Sequence, residues 1–307
     1  MDSGRAQPTP DEVRVVDSAI RRPALARQRQ AMILEQVREH GAVRVADLVT
    51  TLGVSDMTVR RDLELLQERG LLEKVHGGAA AIEGSSLFEP GFTVKSTLME
   101  TEKDLIATSA AALVTPGTAI AISAGTTTYA LARRLTDIPG LTVLTNSVPV
   151  ADVLYKDGRP DQTVILSGGV RTPSDALVGP FAVDVIRSLH VDSVFMGTHG
   201  VDARSGFTTP NILEAETNRA LIQAGRRLIV LADHTKWGIV GISSVARLEE
   251  ADTLITDAGL DPAASHQLAM AVRRLILVDV STGERRTLVG GVEETASPDD
   301  PASRARG

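Results

Sequence analysis

The chain contains no cysteine, which excludes disulfides, thiolate zinc sites and cysteine nucleophiles and suits a cytosolic protein. Aromatic residues make up only 3% of it, so its cores have to be built from Leu, Val, Ile and Ala within an apolar total of 43%. No apolar run is long enough to read as a membrane span, and residues 1–10 are polar without the apolar centre of a signal peptide. A cytoplasmic location, with no membrane partner, is the expectation. Positive charge is not in excess either: 32 Lys and Arg stand against 39 Asp and Glu, a net charge of −7 that argues against indiscriminate nucleic-acid binding. His199 and His234 have no partner at ligand spacing such as His-x-x-x-His, so no metal site is read, and no cofactor motif or catalytic residue is assigned. At 307 residues the chain exceeds what one core usually holds, and two domains are expected.

What is present changes character along the chain. Residues 1–22 carry Pro8, Pro10 and scattered charge without period and read as a flexible arm. Residues 23–82 then give a compact helical grammar. Ile33, Leu34 and Val37 share one helix face that Gly41 ends; Val45, Leu48, Val49 and Leu52 form a second stripe stopped by Gly53. Ser55 is placed to cap a third helix, in which Val59, Leu63 and Leu66 fall at i, i+4 and i+7. That stripe turns Met57, Thr58, Arg60, Arg61 and Glu64 outward. Residues 71–75 and 79–82 are two short strand candidates joined across His76-Gly77-Gly78. Helix, turn, capped helix and glycine-ended hairpin are the outline of a winged helix-turn-helix, which inserts its last helix into the DNA major groove.

Charge placement rather than total has to carry that reading, because residues 27–81 hold eight basic and eight acidic side chains. Arg60 and Arg61 can meet guanine edges or phosphates, Ser55 and Thr58 sit where a helix N-terminus attracts phosphate, and Met57 and His76 complete the candidate DNA contacts. An Arg-Arg pair alone is usually a solvated surface; the ordered elements around it reverse that judgement. Asp62 is suited to orienting an arginine or capping a backbone group rather than meeting DNA.

Residues 83–100, with Gly84, Ser85, Ser86 and Pro90, read as a linker. Residues 101–280 alternate short apolar runs (119–122, 141–144, 164–166, 191–196, 228–231, 253–255, 274–278) with helical stretches (103–113, 126–135, 180–189, 212–224, 264–273). Buried strands alternating with helices imply a mainly parallel α/β sheet. Residues 281–307, rich in charge, Pro, Gly and Ser, read as a disordered tail.

Glycine-rich turns after strands are where such folds hold ligands. Gly125, Thr126, Thr127 and Thr128 follow one strand and open a helix; their amides and hydroxyls suit an anion such as phosphate, although a plain helix cap is the commoner use of such a turn. Gly168, Gly169 and Arg171 follow another strand. His199 and Asp202 lie after a third, Glu214 opens a helix, and Asp233 and Lys236 close a further strand beside Trp237, which reads as a packing residue.

The segment from Arg27 to Ala80 resembles the DNA-binding domain of the DeoR family of bacterial transcriptional regulators. The likeness rests on Arg29-Gln30, Gly53-Val54-Ser55, Thr58-Val59-Arg60-Arg61-Asp62-Leu63, Gly70-Leu71-Leu72 and Val75-His76-Gly77-Gly78-Ala79. Residues 102–257 resemble that family's C-terminal sensor domain, through Glu102-Lys103, Gly125-Thr126-Thr127, Thr145-Asn146-Ser147, Gly168-Gly169, Val178-Gly179-Pro180, Glu214-Ala215-Glu216, Leu231-Ala232-Asp233 with Lys236, and Thr256-Asp257. The resemblance implies an α/β sensor similar in fold to sugar-phosphate isomerases. It implies a phosphorylated sugar as effector, with its phosphate on Gly125 to Thr128 and Asn146, Asp202, Glu214, Asp233 and Lys236 near the sugar. The chain departs from the family pattern at Ser123, where an acid is frequent, at His199, where Asn or Asp is frequent, and at Asn218, where Lys is frequent.

Two classes of function follow. The first is a sequence-specific regulator, a repressor of a sugar-uptake or catabolic operon, released from double-stranded operator DNA by a small phosphorylated sugar and acting as a homodimer or homotetramer. The second is a sugar-phosphate isomerase carrying an accessory helix-turn-helix, for which Asp202, Glu214, Asp233 and Lys236 offer acid and base groups. A complete DNA-reading module favours the first.

Overall fold

The computed structural model describes residues 26–68, 71–75, 77–80, 92–172 and 174–294, and divides them into two compact units with a boundary after Ala80.

The N-terminal unit runs α1 (Ala26–His40), β1 (Ala42–Arg44), α2 (Val45–Leu52), α3 (Asp56–Glu68), β2 (Glu73–Val75) and β3 (Gly78–Ala80). Its strands form an antiparallel sheet in the order β1-β3-β2. Ile33, Val37, Val45, Leu48, Leu52, Val59, Leu63, Leu66 and Leu72 are buried, whereas Leu34 and Val49, which the spacing placed in the same stripes, are only half-buried. Gly53 ends α2 in the left-handed conformation at φ 63°, returning its N–H to the Val49 carbonyl, and so makes the turn between α2 and α3. Gly78 is required for a different reason: a Cβ there would stand 2.0 Å from the Val43 carbonyl oxygen on β1.

The second unit opens with α4 (Phe92–Thr97) and α5 (Glu100–Ala111), followed by β4 (Ala119–Ile122), α6 (Thr126–Arg134), β5 (Thr142–Thr145), α7 (Val148–Asp157), β6 (Thr163–Leu166), β7 (Val170–Arg171), β8 (Leu177–Val178) and α8 (Pro180–Arg187). The chain continues through β9 (Ser193–Gly197), β10 (Gly200–Asp202), β11 (Gly206–Thr209), α9 (Ile212–Ala224), β12 (Leu228–Leu231), β13 (Ser243–Ala246), β14 (Thr253–Asp257), α10 (Pro262–Ala271), β15 (Leu275–Val278), β16 (Arg285–Val289) and β17 (Val292–Glu293). Nine strands make one sheet in the order β17-β16-β15-β14-β12-β9-β4-β5-β6. From β15 to β6 every pairing is parallel; β16 and β17 add an antiparallel edge. β10, β11 and β13 form a separate antiparallel sheet.

Alternation along the strands builds two cores. On one face Ile120, Ile122, Ile229, Leu231 and Ile255 meet α5, α6 and α7 through Ile106, Leu131, Val150 and Leu154. On the other Ala121, Val194, Met196, Val230 and Leu254 meet α8, α9 and α10 through Ile186, Leu221 and Leu268. β4 leads to β5 on one side while β9 lies on its other side, so the order of the chain reverses there. In open α/β sheets the crevice beyond the carboxyl ends at such a reversal is where ligands bind.

Two boundaries anticipated from composition are corrected. The linker read over 83–100 ends before residue 92: Phe92 sets its ring edge-on to Tyr129 of α6 at 5.6 Å, and α4 belongs to the α/β unit. The disordered tail read from 281 is instead β16 and β17 up to Glu293, because Leu288 packs on the core and β16 covers the edge of β15 that would otherwise stand unpaired. The arm at 1–22 lies outside the described residues. Among the described residues no helix is long and apolar enough to cross a membrane.

Candidate functional site

The N-terminal unit presents α3. Ser55 accepts the Thr58 N–H at 3.3 Å, and the two hydroxyls are bonded at 2.8 Å, which fixes the start of the helix. Met57, Arg60 and Arg61 are exposed and Thr58 is half-buried. Arg60 is tethered through Nε to Asp56 at 2.5 Å, whereas Arg61 has no partner among the described residues. Lys74 of β2 bonds Glu64 at 2.9 Å and ties the wing strand to α3. His76 lies outside the described residues.

Asp62 is buried on the inner side of α3. Its carboxylate accepts from Arg29 Nε at 2.5 Å and from Gln30 Nε2 at 3.0 Å, fastening α1 to α3. The arginine it orients is therefore not a neighbour on its own helix but one from α1. Breaking a buried pair leaves a charge without its counterion, so Asp62→Ala is expected to lower the stability of the N-terminal unit by roughly 3–5 kcal/mol. Urea unfolding followed by far-ultraviolet dichroism checks this; an unchanged midpoint would contradict it.

In the α/β unit one cleft, of about 910 Å³ including its open mouth, lies beyond the ends of β4, β9 and β12. Of the residues chosen from sequence it gathers Gly125, Thr126, Thr127, His199, Glu214, Asp233 and Lys236. Gly125 precedes α6 at φ 151°, and no side chain caps the helix, so the first-turn amides of α6 face the cleft without intrahelical acceptors. Glu214 is buried and held by the hydroxyls of Thr172, at 2.8 Å, and Ser174. Asp233 is buried too; its Oδ1 takes the N–H of Thr235 at 3.1 Å and the Thr235 hydroxyl, while its Oδ2 has no partner among the described residues.

Six chosen residues fall elsewhere. The Thr128 hydroxyl turns back to the Gly125 carbonyl at 3.0 Å, because it sits on the buried side of the first turn. Asn146 is a brace: its side chain accepts the Ala124 N–H at 2.9 Å and donates to the Leu177 carbonyl at 3.2 Å. Asp202 spends its carboxylate on the N–H groups of Ser205 and Arg204 in the turn between β10 and β11, which holds its pKa below the usual carboxylate value. Gly168, Gly169 and Arg171 follow β6, the far edge of the sheet, and Arg171 pairs with Asp175. Of the departures from the family pattern, Asn218 and His199 line the cleft, whereas Ser123 is buried and accepts the Gly197 N–H at 3.0 Å, joining the turns after β4 and β9.

Sequence reasoning does not assign Lys95, Lys103, Thr198, Thr208, Thr209 and Thr235 to the cleft, yet they line it. Lys103, from α5, is the most consequential. Burial pushes its ammonium down to about 8; Asp233 opposes that shift, and Lys236 and Lys95 add to it.

Comparison with known proteins bears on both units. Residues 29–85 match the family described as the DeoR-like helix-turn-helix domain, and residues 99–258 match the DeoR C terminal sensor domain. An HTH-type transcriptional regulator of Escherichia coli, YgbI, is 38% identical over 78% of this chain and 93% of its own length. The HTH-type transcriptional regulator GolR of Listeria innocua is 36% identical over 75% and 90%, and the glycerol-3-phosphate regulon repressor of Escherichia coli 33% identical over 75% and 90%. Among solved structures, ribose 5-phosphate isomerase from Plasmodium falciparum gives a slight likeness, with a TM-score of 0.37 at 12% identity over 62% of this chain and 99% of the other. The matches span both units, and the chain belongs to the DeoR family of DNA-binding transcriptional regulators; it is a regulator, not an enzyme.

Proposed function

We propose that the protein represses a sugar-uptake or catabolic operon and is released from its operator by a phosphorylated sugar bound in the cleft of the α/β unit. The observation that carries this is the pairing of opposite chemistries in one cleft. One set is the open amides of α6 with the hydroxyls of Thr126 and Thr127 and the ammonium groups of Lys103 and Lys236, suited to a phosphate. Close enough to Lys103 to act on its charge, and capping the turn that carries Lys236, is the buried Asp233 with an unpartnered oxygen, which needs a donor such as a sugar hydroxyl. The name of the glycerol-3-phosphate regulon repressor, a relative over most of its length, is consistent with that ligand class and with repression.

The mechanism is linkage. The sugar phosphate favours one state of the α/β unit, and that state holds paired DNA-binding units in a spacing the operator fits less well. A difference of about 1–3 kcal/mol lowers operator affinity roughly 5- to 150-fold. Symmetric half-sites call for a homodimer or homotetramer, and the cytoplasm is where its DNA lies.

Isothermal titration with a panel of sugar phosphates and the matching unphosphorylated sugars tests the cleft. Binding that requires the phosphate and weakens at least tenfold in Asp233→Asn supports the reading; binding of the free sugars alone, or of nothing in the panel, contradicts it. A pH dependence follows from Lys103. Above about 8 its amine is neutral in the free protein, and binding a phosphate dianion then requires taking up a proton. Affinity should fall with rising pH from about 8, approaching about tenfold per pH unit. Lys103→Arg keeps its charge and should flatten that fall.

A further inference from the structure

Lys103 does more than line the cleft. Its Nζ donates to the Leu98 carbonyl at 2.5 Å and to the Lys95 carbonyl, the two acceptors at the exit of α4, and its backbone N–H bonds the Met99 carbonyl at 3.0 Å. Helix ends leave such carbonyls unsatisfied, and a cation there is favourable. The turn it closes is unusual: Met99 takes φ 51°, a left-handed conformation that a non-glycine residue adopts only when its surroundings impose it. Lys95, Leu98 and Met99 all line the cleft, yet Leu98 and Met99 remain exposed and contribute little burial to hold the segment down. Phe92 on Tyr129 and the Lys103 ammonium help to fasten it.

We infer that Lys103 is a positioning residue that holds α4 and the Leu98–Met99 turn as a strap along the ligand cleft, and that an anion in the cleft tightens this strap. The inference rests on the reading of the cleft as an anion site. An ammonium has three N–H groups. Two are spent on the strap carbonyls, and the third has no partner among the described residues, on a side chain that borders the cleft. An anion taking that third N–H favours the protonated form, which burial otherwise disfavours, and charge-assisted donors bond the two carbonyls more strongly than a neutral amine does. The strap is the first described segment of the α/β unit, and the polypeptide ahead of it leads back to the DNA-binding unit. Occupancy of the cleft is thereby written into the first described segment of the α/β unit.

Hydrogen exchange by mass spectrometry on the full chain tests this, with inorganic phosphate as the probe and isothermal titration reporting its binding. Phosphate should slow exchange in peptides covering residues 92–100 by about tenfold while leaving α7 unchanged. In Lys103→Met the strap should exchange about tenfold faster without phosphate and show no slowing with it. If that variant does not fold, Lys103→Gln, which keeps an amide donor for the carbonyls, takes its place. Phosphate that binds without slowing the strap, or slows it equally in the variant, overturns the strap and leaves the cleft reading standing. Phosphate that does not bind overturns both.

Discussion

Arg61→Ala is expected to cost the protein about 100-fold or more in operator affinity, and Arg60→Ala with Arg61→Ala to reduce binding to the level seen with random DNA. A bidentate arginine bond to a base is worth about 1–3 kcal/mol, and any phosphate the same guanidinium neutralises adds to that. The fold should not suffer. Both side chains are exposed, the α3 core is made by Val59, Leu63 and Leu66, and Asp62 remains paired with Arg29. The melting temperature should therefore stay within a degree or two of wild type. The two arginines are not equivalent: Arg60 is already oriented by Asp56 and Arg61 is unengaged among the described residues, so the single Arg61 change should be the larger. Fluorescence anisotropy against the gene's own upstream DNA reads the result. Wild-type affinity and specificity in the double variant would mean that α3 is not the reading helix.

Thr126→Ala combined with Thr127→Ala is expected to do the opposite, keeping operator binding and abolishing the response to ligand. Each hydroxyl bonded to a charged phosphate contributes about 1.5–3 kcal/mol, so losing both weakens ligand binding by roughly two to four orders of magnitude. The backbone amides of α6 stay in place, and Gly125, whose φ of 151° shapes the turn, is untouched. DNA release by sugar phosphates at millimolar concentration, measured in the same anisotropy assay, checks this. An unchanged response would place the phosphate elsewhere.

Parts of this molecule can be read in its sequence and parts cannot, for physical reasons. The parallel strands announce themselves because strands covered on both faces are continuous apolar runs, as at 119–122 and 228–231. β10, β11 and β13 do not, being segments of three or four residues in which glycine, threonine and serine hide the alternation. The same is true of β16, where Arg285 and Arg286 face solvent and only one side is covered. Helix α7 is announced only by local chemistry, a Ser147 cap followed by Pro149 in the first turn, which an apolar-run reading passes over. In the cleft, Gly125, Thr126, Thr127, His199 and Asp233 are legible because each lies just after a strand, close to where the sheet reverses. Asn146 and Asp202 also stand at strand ends, but their polar groups are consumed by neighbouring backbone, which spacing cannot reveal. Lys95 and Lys103 stand on helices ahead of the sheet and reach the cleft only through the tertiary fold. In the N-terminal unit Arg29-Gln30 and Asp62 are visible as a motif, but their mutual bonding needs the structure.

Coupling between ligand binding in the α/β unit and DNA binding in the N-terminal unit is the central claim. The most direct measurement is fluorescence anisotropy of the full chain on its own upstream DNA, at fixed moderate salt, with and without a panel of sugar phosphates. Specific binding weakened roughly 5- to 150-fold by one phosphorylated sugar, and not by its unphosphorylated form, is the predicted result. No preference for that DNA over random sequence would contradict the reading of this chain as an operator-specific repressor, and specific binding that no sugar phosphate alters would contradict the reading of the cleft as its sensor.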